Sequence, residues 1–258
     1  MKVVILCGGE GSRLREETEH RPKPMLEIGS KPILWHIMKT YEYYGYKDFV
    51  LCLGYKGEVI KRYFYEYELL ANDVTIELGR GTTQFHGTHP EEGWKVTMVD
   101  TGLKSLTGSR VKRVERYIDT DLFMLTYGDG VTDININDLV AFHKSHGKIG
   151  TLTGVNPPSR YGELVIEGDH VLAFLEKPTS VGGSINGGYF VFNRKFFDYL
   201  ENEEGCILER EPLERLAKDG ELKVFPHTGF WQCMDTYRDY RYLNELWEND
   251  RAYWNKWR

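Results

Sequence analysis

The stretch Met1-Lys2-Val3-Val4-Ile5-Leu6-Cys7-Gly8-Gly9-Glu10-Gly11-Ser12-Arg13 decides the fold. Residues 2–7 are a short apolar run that ends in glycine, which is typical of a buried parallel strand leading into a turn. Glycines in such a turn let backbone N–H groups approach a phosphate chain, because they carry no Cβ. We therefore predict an inner strand over residues 2–7 and a phosphate-binding turn directly after it.

Strand and helix patterns alternate downstream of this turn. Apolar residues recur at helical spacing after Pro32, which fits the first helical position, and Gly45 ends the run. A strand pattern at residues 48–54 and a helical one around residues 59–64 follow. Further strands are predicted at residues 74–78, 95–99, 122–127 and 150–155, and helices near residues 109–118 and 137–145. The alternation predicts an α/β fold with a Rossmann-like, doubly wound, mixed and mostly parallel sheet.

Closely spaced strand patterns begin near residue 163. Those at residues 163–166, 171–175 and 189–192 predict a small antiparallel β addition that covers the substrate. Helical patterns return at residues 212–217 and 242–247. We expect a single domain over residues 1–258, with internal divisions near residues 155 and 236 and a C-terminal helix over residues 237–258.

The composition excludes several classes of protein. The chain has 258 residues, of which 41% are hydrophobic, enough for the core of one large α/β domain. It holds no run of about 18 apolar residues, and its first residues lack the pattern of a signal peptide. The net charge of −6 argues against a nucleic-acid surface, which needs a basic stripe. We therefore expect a soluble, cytoplasmic protein with no membrane and no nucleic-acid partner.

The four cysteines do not indicate a zinc site or a disulfide framework. Cys7 and Cys52 lie inside apolar runs, where a free thiol behaves as a small buried hydrophobe. With Cys206 and Cys233 they form no C-x-x-C spacing. We therefore expect free thiols throughout.

The glycine-rich turn fits neither of the two common phosphate loops. Leu14 stands where the dinucleotide-binding fingerprint has its third glycine, and the Lys-Ser/Thr end of a Walker loop is absent from the turn. A tight strand-to-helix turn without a ligand is the alternative interpretation. Taken alone, the turn supports both interpretations equally.

Lys23 makes phosphate binding the better interpretation. It lies between Pro22 and Pro24, whose rings fix their backbone φ angles and give the flexible side chain a rigid base. A solvated loop lysine is the usual alternative. Pro-Lys-Pro ten residues after Arg13 is, however, an uncommon arrangement, and the two motifs together are far more specific than either alone.

The two motifs together resemble the signature of the sugar-phosphate nucleotidylyltransferases. The resemblance covers almost the whole chain, and it is nearest to the family members that use CTP and glucose 1-phosphate. It implies a nucleotide-binding part to about residue 155 and a sugar-phosphate-binding part over about residues 156–236. The other matching segments are residues 31–39, 126–131, 176–178, 185–188 and 229–236.

The resemblance also implies which residues bind CTP. It places the triphosphate on the glycine-rich turn and the reacting phosphates at Lys23. Base choice falls to Ser105 and Arg110, with Arg110 a candidate donor to the cytosine carbonyl; a helix-starting loop is the alternative there. The implied nucleotide-binding residues are Leu6, Gly8, Gly9, Glu10, Gly11, Ser12, Arg13, Lys23, Ser105, Arg110 and Gly128.

Two aspartates are the expected ligands of Mg²⁺. Asp129 follows an apolar strand, at the carboxyl end of the sheet, where open α/β folds bind ligands. Asp235 is the natural second carboxylate, since Mg²⁺ takes one or two carboxylates plus substrate phosphates. The resembling family uses aspartates in both places. Either residue alone is more often a turn or capping residue.

The sugar phosphate is expected beside Glu176 and Lys177. A carboxylate there accepts from sugar hydroxyls, and the neighbouring cation attracts the phosphate. Asn186 and Gly187 complete the site that the resemblance implies. By themselves Glu176 and Lys177 would more simply form a surface ion pair.

The implied reaction transfers CMP from CTP to α-D-glucose 1-phosphate, giving CDP-glucose and pyrophosphate for deoxysugar and O-antigen synthesis. The direct in-line attack would use Lys23, Arg13, Asp129 and Asp235 with Mg²⁺. Another base or hexose on the same scaffold is one alternative, and a non-catalytic regulatory module is another. The resemblance further implies a homo-oligomer, a hexamer. Residues 79–93 match no motif of the family.

Overall fold

The computed structural model describes residues 1–156, 163–167, 170–175 and 184–257. Its centre is a seven-stranded sheet in the order β14-β10-β13-β8-β1-β4-β7, in which β13 alone runs antiparallel to its neighbours. The predicted mixed, mostly parallel sheet is confirmed. The strands are β1 (Lys2–Cys7), β4 (Asp48–Leu53), β7 (Lys95–Asp100), β8 (Leu122–Tyr127), β10 (Gly150–Val155), β13 (Ile185–Asn193) and β14 (Leu222–His227).

Strand β1 lies inside the sheet, as its apolar run predicts. It pairs in parallel with β4 on one side and β8 on the other. Alternate side chains point to opposite faces, so Val3 and Ile5 join one buried cluster while Val4 and Leu6 join the other. Two hydrophobic layers therefore meet the sheet, which explains why the strand has no polar side after Lys2.

Helices cover both faces of the sheet. Helices α2, α6 and α8 contribute to the cluster that contains Val3, and α5 and α7 contribute to the one that contains Val4. Each large apolar side chain buried in this way adds about 1.5–3 kcal/mol to stability. The helices are α1 (Arg15–Thr18), α2 (Ile33–Tyr43), α3 (Gly57–Tyr65), α4 (Tyr67–Ala71), α5 (Thr107–Arg113), α6 (Ile136–His146), α7 (Glu211–Lys218) and α8 (Tyr237–Glu248).

Four small two-stranded sheets lie outside the main sheet. Three of them are antiparallel pairs close in sequence, and the fourth joins two distant segments. The pairs are β2 (Glu27–Ile28) with β3 (Lys31–Pro32), β5 (Asp73–Glu77) with β6 (Thr82–His86), β11 (Glu163–Glu167) with β12 (His170–Leu175), and β9 (Gly130–Thr132) with β15 (Trp231–Cys233). Short 3-10 turns occur at Ser12–Leu14, Lys23–Met25, Glu115–Tyr117 and Arg194–Tyr199.

Two strand predictions are wrong in placement. The strand expected at residues 74–78 belongs to the exposed β5–β6 hairpin, because its side chains alternate with polar ones and cannot be buried on two faces. Residues 189–192 are part of β13, in the middle of the main sheet. Their continuous Tyr-Phe-Val-Phe run is buried on both faces, which an addition at the surface would not allow.

The edge strand β14 was not predicted, and two helix boundaries were wrong. This strand contains Pro226, which is tolerated there because β14 lies on the edge of the sheet. Pro32 precedes helix α2 as its N-cap rather than its first residue. The C-terminal helix stops at Glu248, since Asp250 turns the chain with a φ of 55° and Trp254 then becomes fully buried. Among the described residues, no helix is long and apolar enough to cross a membrane.

Candidate active site

The carboxyl edge of the sheet brings the two glycine motifs together. Strands β1 and β8 are parallel neighbours, and Leu6 pairs with Tyr127, so Gly8 and Gly128 follow adjacent strand ends. A Cβ on Gly128 would lie 2.7 Å from the carbonyl oxygen of Leu6. Only glycine fits there, which holds the two chain segments close enough to form one wall.

A cleft of about 280 Å³ opens between these strand ends. One part of it, which we call the glycine end, lies beside Gly8 and Arg110. The other, the lysine end, lies beside Lys23 and Asp129. The lining residues are Leu6, Cys7, Gly8, Gly9, Gly11, Lys23, Pro24, Ser105, Leu106, Thr107, Arg110, Tyr127, Gly128 and Asp129.

Arg110 supports the glycine end through hydrogen bonds to the backbone. The residue is only 4% exposed, and its guanidinium donates to the carbonyl oxygen of Gly8 at 2.9 Å. A Cβ on Gly8 would lie 2.2 Å from Arg110 Nη1, so the close approach requires glycine at this position. Its other hydrogen-bond acceptors are the carbonyl oxygens of Leu53, Gly102 and Leu103 and the hydroxyl of Thr101.

The expected contact between Arg110 and a cytosine carbonyl stays a prediction. Arg110 and Ser105 both line the cleft, as that prediction requires. Ser105 is buried, and its hydroxyl accepts from Arg113 Nη1 at 2.6 Å. A base contact would therefore come from groups that already hold the loop in place.

The glycine-rich turn lines the cleft only through its glycines. Gly11 has a φ of 64° and its carbonyl accepts from the backbone N–H of Leu14, which starts a short 3-10 turn. Glu10, Ser12 and Arg13 are exposed and lie outside the cleft lining. Their predicted contacts with the triphosphate are therefore open to solvent, where a phosphate chain leaving the cleft could meet them.

Lys23 joins both predicted metal ligands. Its Nζ donates to Asp129 Oδ2 at 2.5 Å and to Asp235 Oδ1 at 2.7 Å. The extended backbone at Pro22 and the 3-10 turn that begins at Lys23 fix the position of the side chain, which is 13% exposed. Arg13 reaches the same cluster, with Nη1 3.4 Å from Asp235 Oδ2. The four residues predicted to act in catalysis thus form one cluster.

The β9–β15 pairing brings Asp235 to this cluster. Cys233 pairs with Gly130, and the N–H of Met234 donates to the carbonyl of Asp129 at 2.8 Å. Directly after Asp235, Thr236 caps helix α8 in a capping box with Asp239, and Asp239 also accepts from the Asp235 N–H. Asp235 is therefore held between a strand pair and a helix cap, both rigid.

Lys23 and Asp235 stabilise each other's charged forms. Burial raises the pKa of Asp235, but the hydrogen bond and the charge of Lys23 outweigh it and hold that pKa below its ordinary value. Burial lowers the pKa of Lys23, yet the charge of Asp129 and the hydrogen bonds to both carboxylates raise it overall. A positive group between two carboxylates is the arrangement that this cluster stabilises.

The same cluster has the donor chemistry for Mg²⁺. Both carboxylates reach one point, now the Lys23 nitrogen, and hard carboxylate oxygens are the ligands that Mg²⁺ prefers. Within the described ranges, no group of three or more His, Cys, Asp or Glu side chains could hold a metal ion. Such a metal would need further oxygens from a ligand, as Mg²⁺ usually does at phosphate sites.

The sugar-binding prediction is only partly within the described residues. Glu176 and Lys177 lie outside them. Asn186 lies next to the cleft wall, where its Nδ2 donates to the Tyr127 hydroxyl at 3.2 Å. The carbonyl of Gly187 accepts from Trp231 Nε1 at 2.7 Å, which ties this segment to β15.

Sequence reasoning missed part of the cleft wall. Leu106, Thr107 and Pro24 line it, as does Tyr127, whose hydroxyl donates to Glu209. Tyr127 stood directly before Gly128 and Asp129 in a motif already singled out, so its position was a usable signal. Glu209 had no such signal, because it comes from a loop 82 residues away along the chain.

The sequence of the chain matches that of a known protein family. Residues 2–250 match the sequence model of the family described as nucleotidyl transferase. The chain belongs to the nucleotidyl transferase family. The resemblance that its motifs indicated is thereby confirmed at the level of the family.

Individual relatives narrow the comparison. The chain is similar to a glucose-1-phosphate cytidylyltransferase from Salmonella typhi, with 52% identity over 258 residues and full coverage of both chains. A mannose-1-phosphate guanyltransferase from Gibberella zeae is 33% identical over 93% of this chain and 62% of the relative. Among solved structures, HddC from Yersinia pseudotuberculosis has a TM-score of 0.69 and 25% identity, over 95% of this chain and 99% of that one. The two folds therefore correspond over nearly the whole length of both chains.

Proposed function

We propose that this chain transfers CMP from CTP to α-D-glucose 1-phosphate, giving CDP-glucose and pyrophosphate. The observation that carries the proposal is the placement of Lys23 between Asp129 and Asp235, in a cleft that Arg110 and the glycines of the turn also line. The Salmonella typhi enzyme, whose name states this activity, is 52% identical over the full length of both chains. The product serves as a precursor of deoxysugars in lipopolysaccharide O-antigen.

The reaction needs no nucleophile from the protein. A phosphate oxygen of glucose 1-phosphate attacks the α-phosphorus of CTP and forms the new P–O bond. The bond from that phosphorus to the oxygen bridging to the β-phosphate breaks, and pyrophosphate leaves with the electron pair. Both substrates are anions, so Lys23 and Arg13 act by neutralising and positioning phosphate oxygens.

Asp129 and Asp235 would hold Mg²⁺, which supplies further charge neutralisation at the phosphates when it is bound. The carboxylates that now bind Lys23 are the same ones that a cation would take. Release from them lets the Lys23 ammonium turn to the phosphates. The flexible four-carbon side chain on a fixed Pro-Lys-Pro backbone suits such an exchange.

The acceptor sugar phosphate is proposed to lie beside Asn186 and Gly187, next to the lysine end. Tyr127 lines the cleft and hydrogen-bonds to Asn186, so the two binding regions share a wall. Glu176 and Lys177 remain part of this proposed region on the strength of the family resemblance.

A pyrophosphate-release assay tests the proposal. It crosses CTP, UTP, dTTP and GTP with glucose, galactose and mannose 1-phosphates, and the product is identified by mass. We expect the highest kcat/KM with CTP and glucose 1-phosphate. A higher value with another base or sugar would assign the chain to that substrate pair, and no turnover with any pair would favour a non-catalytic regulatory module.

We further propose that the chain forms a homo-oligomer, a hexamer by resemblance, and works in the cytoplasm. Exposed apolar side chains cluster in α3, α4 and the β5–β6 hairpin: Tyr65 is 89%, Leu70 is 73% and Leu78 is 93% exposed. Free thiols fit a reducing compartment. Sedimentation of wild type and Leu78→Lys tests the surface, and a monomeric wild type contradicts it.

A further inference from the structure

Glu209 lies at the rim of the cleft without lining it. It belongs to the loop before helix α7 and its side chain is exposed. Oε1 accepts from the Tyr127 hydroxyl at 2.5 Å, and Oε2 accepts from the Thr107 hydroxyl at 2.7 Å. Both Tyr127 and Thr107 line the cleft. One carboxylate therefore ties together two segments of the wall that come from different strands and helices.

Every hydrogen bond in this network points toward Glu209. The backbone N–H of Leu208 donates to Thr107 Oγ1 at 2.9 Å, so the Thr107 proton is directed to the carboxylate. The Tyr127 hydroxyl likewise donates its proton to the other oxygen of this carboxylate. A carboxylate accepts at both oxygens, and no neutral side chain of the same shape does so.

The direction of these bonds fixes Asn186. The backbone N–H of Gly188 donates to Asn186 Oδ1 at 2.9 Å, which identifies the oxygen of that amide. The nitrogen of the amide must then face Tyr127, whose oxygen can accept because its proton goes to Glu209. An amide nitrogen carries two N–H groups, so Asn186 can serve Tyr127 and a sugar hydroxyl at once.

We propose that Glu209 is a positioning residue for the acceptor sugar phosphate: by accepting the Tyr127 proton it orients the Asn186 amide toward the sugar. This inference rests on the proposed function. Glu209 reaches Asn186 through Tyr127, so we expect its main effect on binding of the sugar phosphate. Its bond to Thr107 holds the carboxylate in place for that role.

Electrostatic repulsion alone predicts that removing Glu209 strengthens the binding of glucose 1-phosphate. Glucose 1-phosphate is an anion, and a carboxylate near its site repels it. If Glu209 acted only through its charge, removing it would lower the KM for glucose 1-phosphate. If it positions Asn186 through Tyr127, removing it raises that KM. The sign of the change therefore separates the two roles.

The experiment compares Glu209→Ala, Tyr127→Phe and the double variant with Glu214→Ala, which removes an exposed carboxylate five residues further along. We expect Glu209→Ala and Tyr127→Phe each to raise the KM for glucose 1-phosphate about tenfold, because a hydrogen bond to a charged group is lost. The double variant should be no worse than the stronger single variant, since both break one chain of bonds. Glu209→Gln should lie between wild type and Glu209→Ala.

Each result bears on the inference separately from the reaction. If wild type forms CDP-glucose while Glu209→Ala behaves like Glu214→Ala, or lowers the KM for glucose 1-phosphate, the positioning role is wrong. The same holds if the effects of Glu209→Ala and Tyr127→Phe add. If wild type forms no nucleotide sugar at all, the proposed function itself fails.

Discussion

Arg110 and Lys23 are cations at the two ends of one cleft, and they are held in opposite ways. Arg110 donates to the backbone carbonyls of Gly8, Leu53, Gly102 and Leu103 and to Thr101, all fixed by the fold. Lys23 is held by two carboxylate side chains. The carbonyl acceptors of Arg110 are fixed by the backbone, whereas the carboxylates that hold Lys23 are side chains of the kind that Mg²⁺ also binds. The glycine end is therefore held by the fold itself, and the lysine end is the place where we propose that one cation replaces another.

Replacing the carboxylates should have the largest effect. Asp129→Asn and Asp235→Asn each remove a charge that would hold Mg²⁺, so we expect activity to be abolished at ordinary Mg²⁺ while the fold remains intact. Turnover is measured by pyrophosphate release and folding by circular dichroism. Full activity of the wild type in excess chelator would contradict a metal site.

Replacing the exchangeable cation comes next. Lys23→Ala should lower kcat by about 10²–10³, the effect of removing one preorganised charge-stabilising group. The exposed residue Lys61 offers a matched control, and Lys61→Ala should leave kcat near that of wild type. Near-normal turnover of Lys23→Ala would remove Lys23 from the mechanism.

Replacing Arg110 should affect stability more than chemistry. Arg110→Met leaves several buried carbonyl oxygens without their donor, so we expect the free energy of unfolding to fall by about 3 kcal/mol. Arg116→Met, on an exposed arginine nearby, should change it little. Denaturant titration measures both. A stable Arg110→Met protein with lost cytosine preference would show that Arg110 acts on the base instead.

His36, a fully buried side chain of helix α2, makes the stability of the fold depend on pH. Burial lowers the pKa of His36 from 6.5 to about 4, and its Nδ1 accepts from Trp254 Nε1. On lowering the pH, the unfolded chain takes up a proton at His36 near pH 6.5, whereas the folded protein does so only near pH 4. The stabilising contribution of neutral His36 is therefore complete above pH 6.5 and is lost as the pH falls toward 4, by up to about 3 kcal/mol. We expect the free energy of unfolding of His36→Gln to decline less steeply with falling pH than that of the wild type. An equal decline in the two proteins would show that His36 is not the group responsible.

Much of the site could be predicted because its residues lie in short motifs with their own chemistry. Gly8 follows an apolar strand, and Lys23 lies between prolines, so local sequence indicates both. The structural role of Arg110 could not be predicted, since it contacts carbonyls from segments that meet only in the folded sheet. Asp129 and Asp235 were paired by family resemblance, and the β9–β15 ladder is the physical reason that they meet.

The fold was predictable where apolar patterns matched a buried environment on both faces. The sequence pattern predicts β13 as part of a surface addition, because the strand patterns that precede it in sequence are short and closely spaced. Its position between β8 and β10 is set by long-range pairing, which local spacing does not encode. The prediction of a helix over residues 249–258 is wrong for another reason. Asp250 turns the backbone and ends the helical course of the chain, and Trp254 then packs near His36.

The pairing of β15 with β9 also determines when, during synthesis, the two carboxylates can come together. A nascent chain that has emerged only to β14 already contains the glycine turn, Lys23 and Asp129, yet it carries one of the two carboxylates. Asp235 follows directly after β15 and precedes helix α8. The proposed Mg²⁺ site therefore forms only after β15 has been translated and has paired with β9.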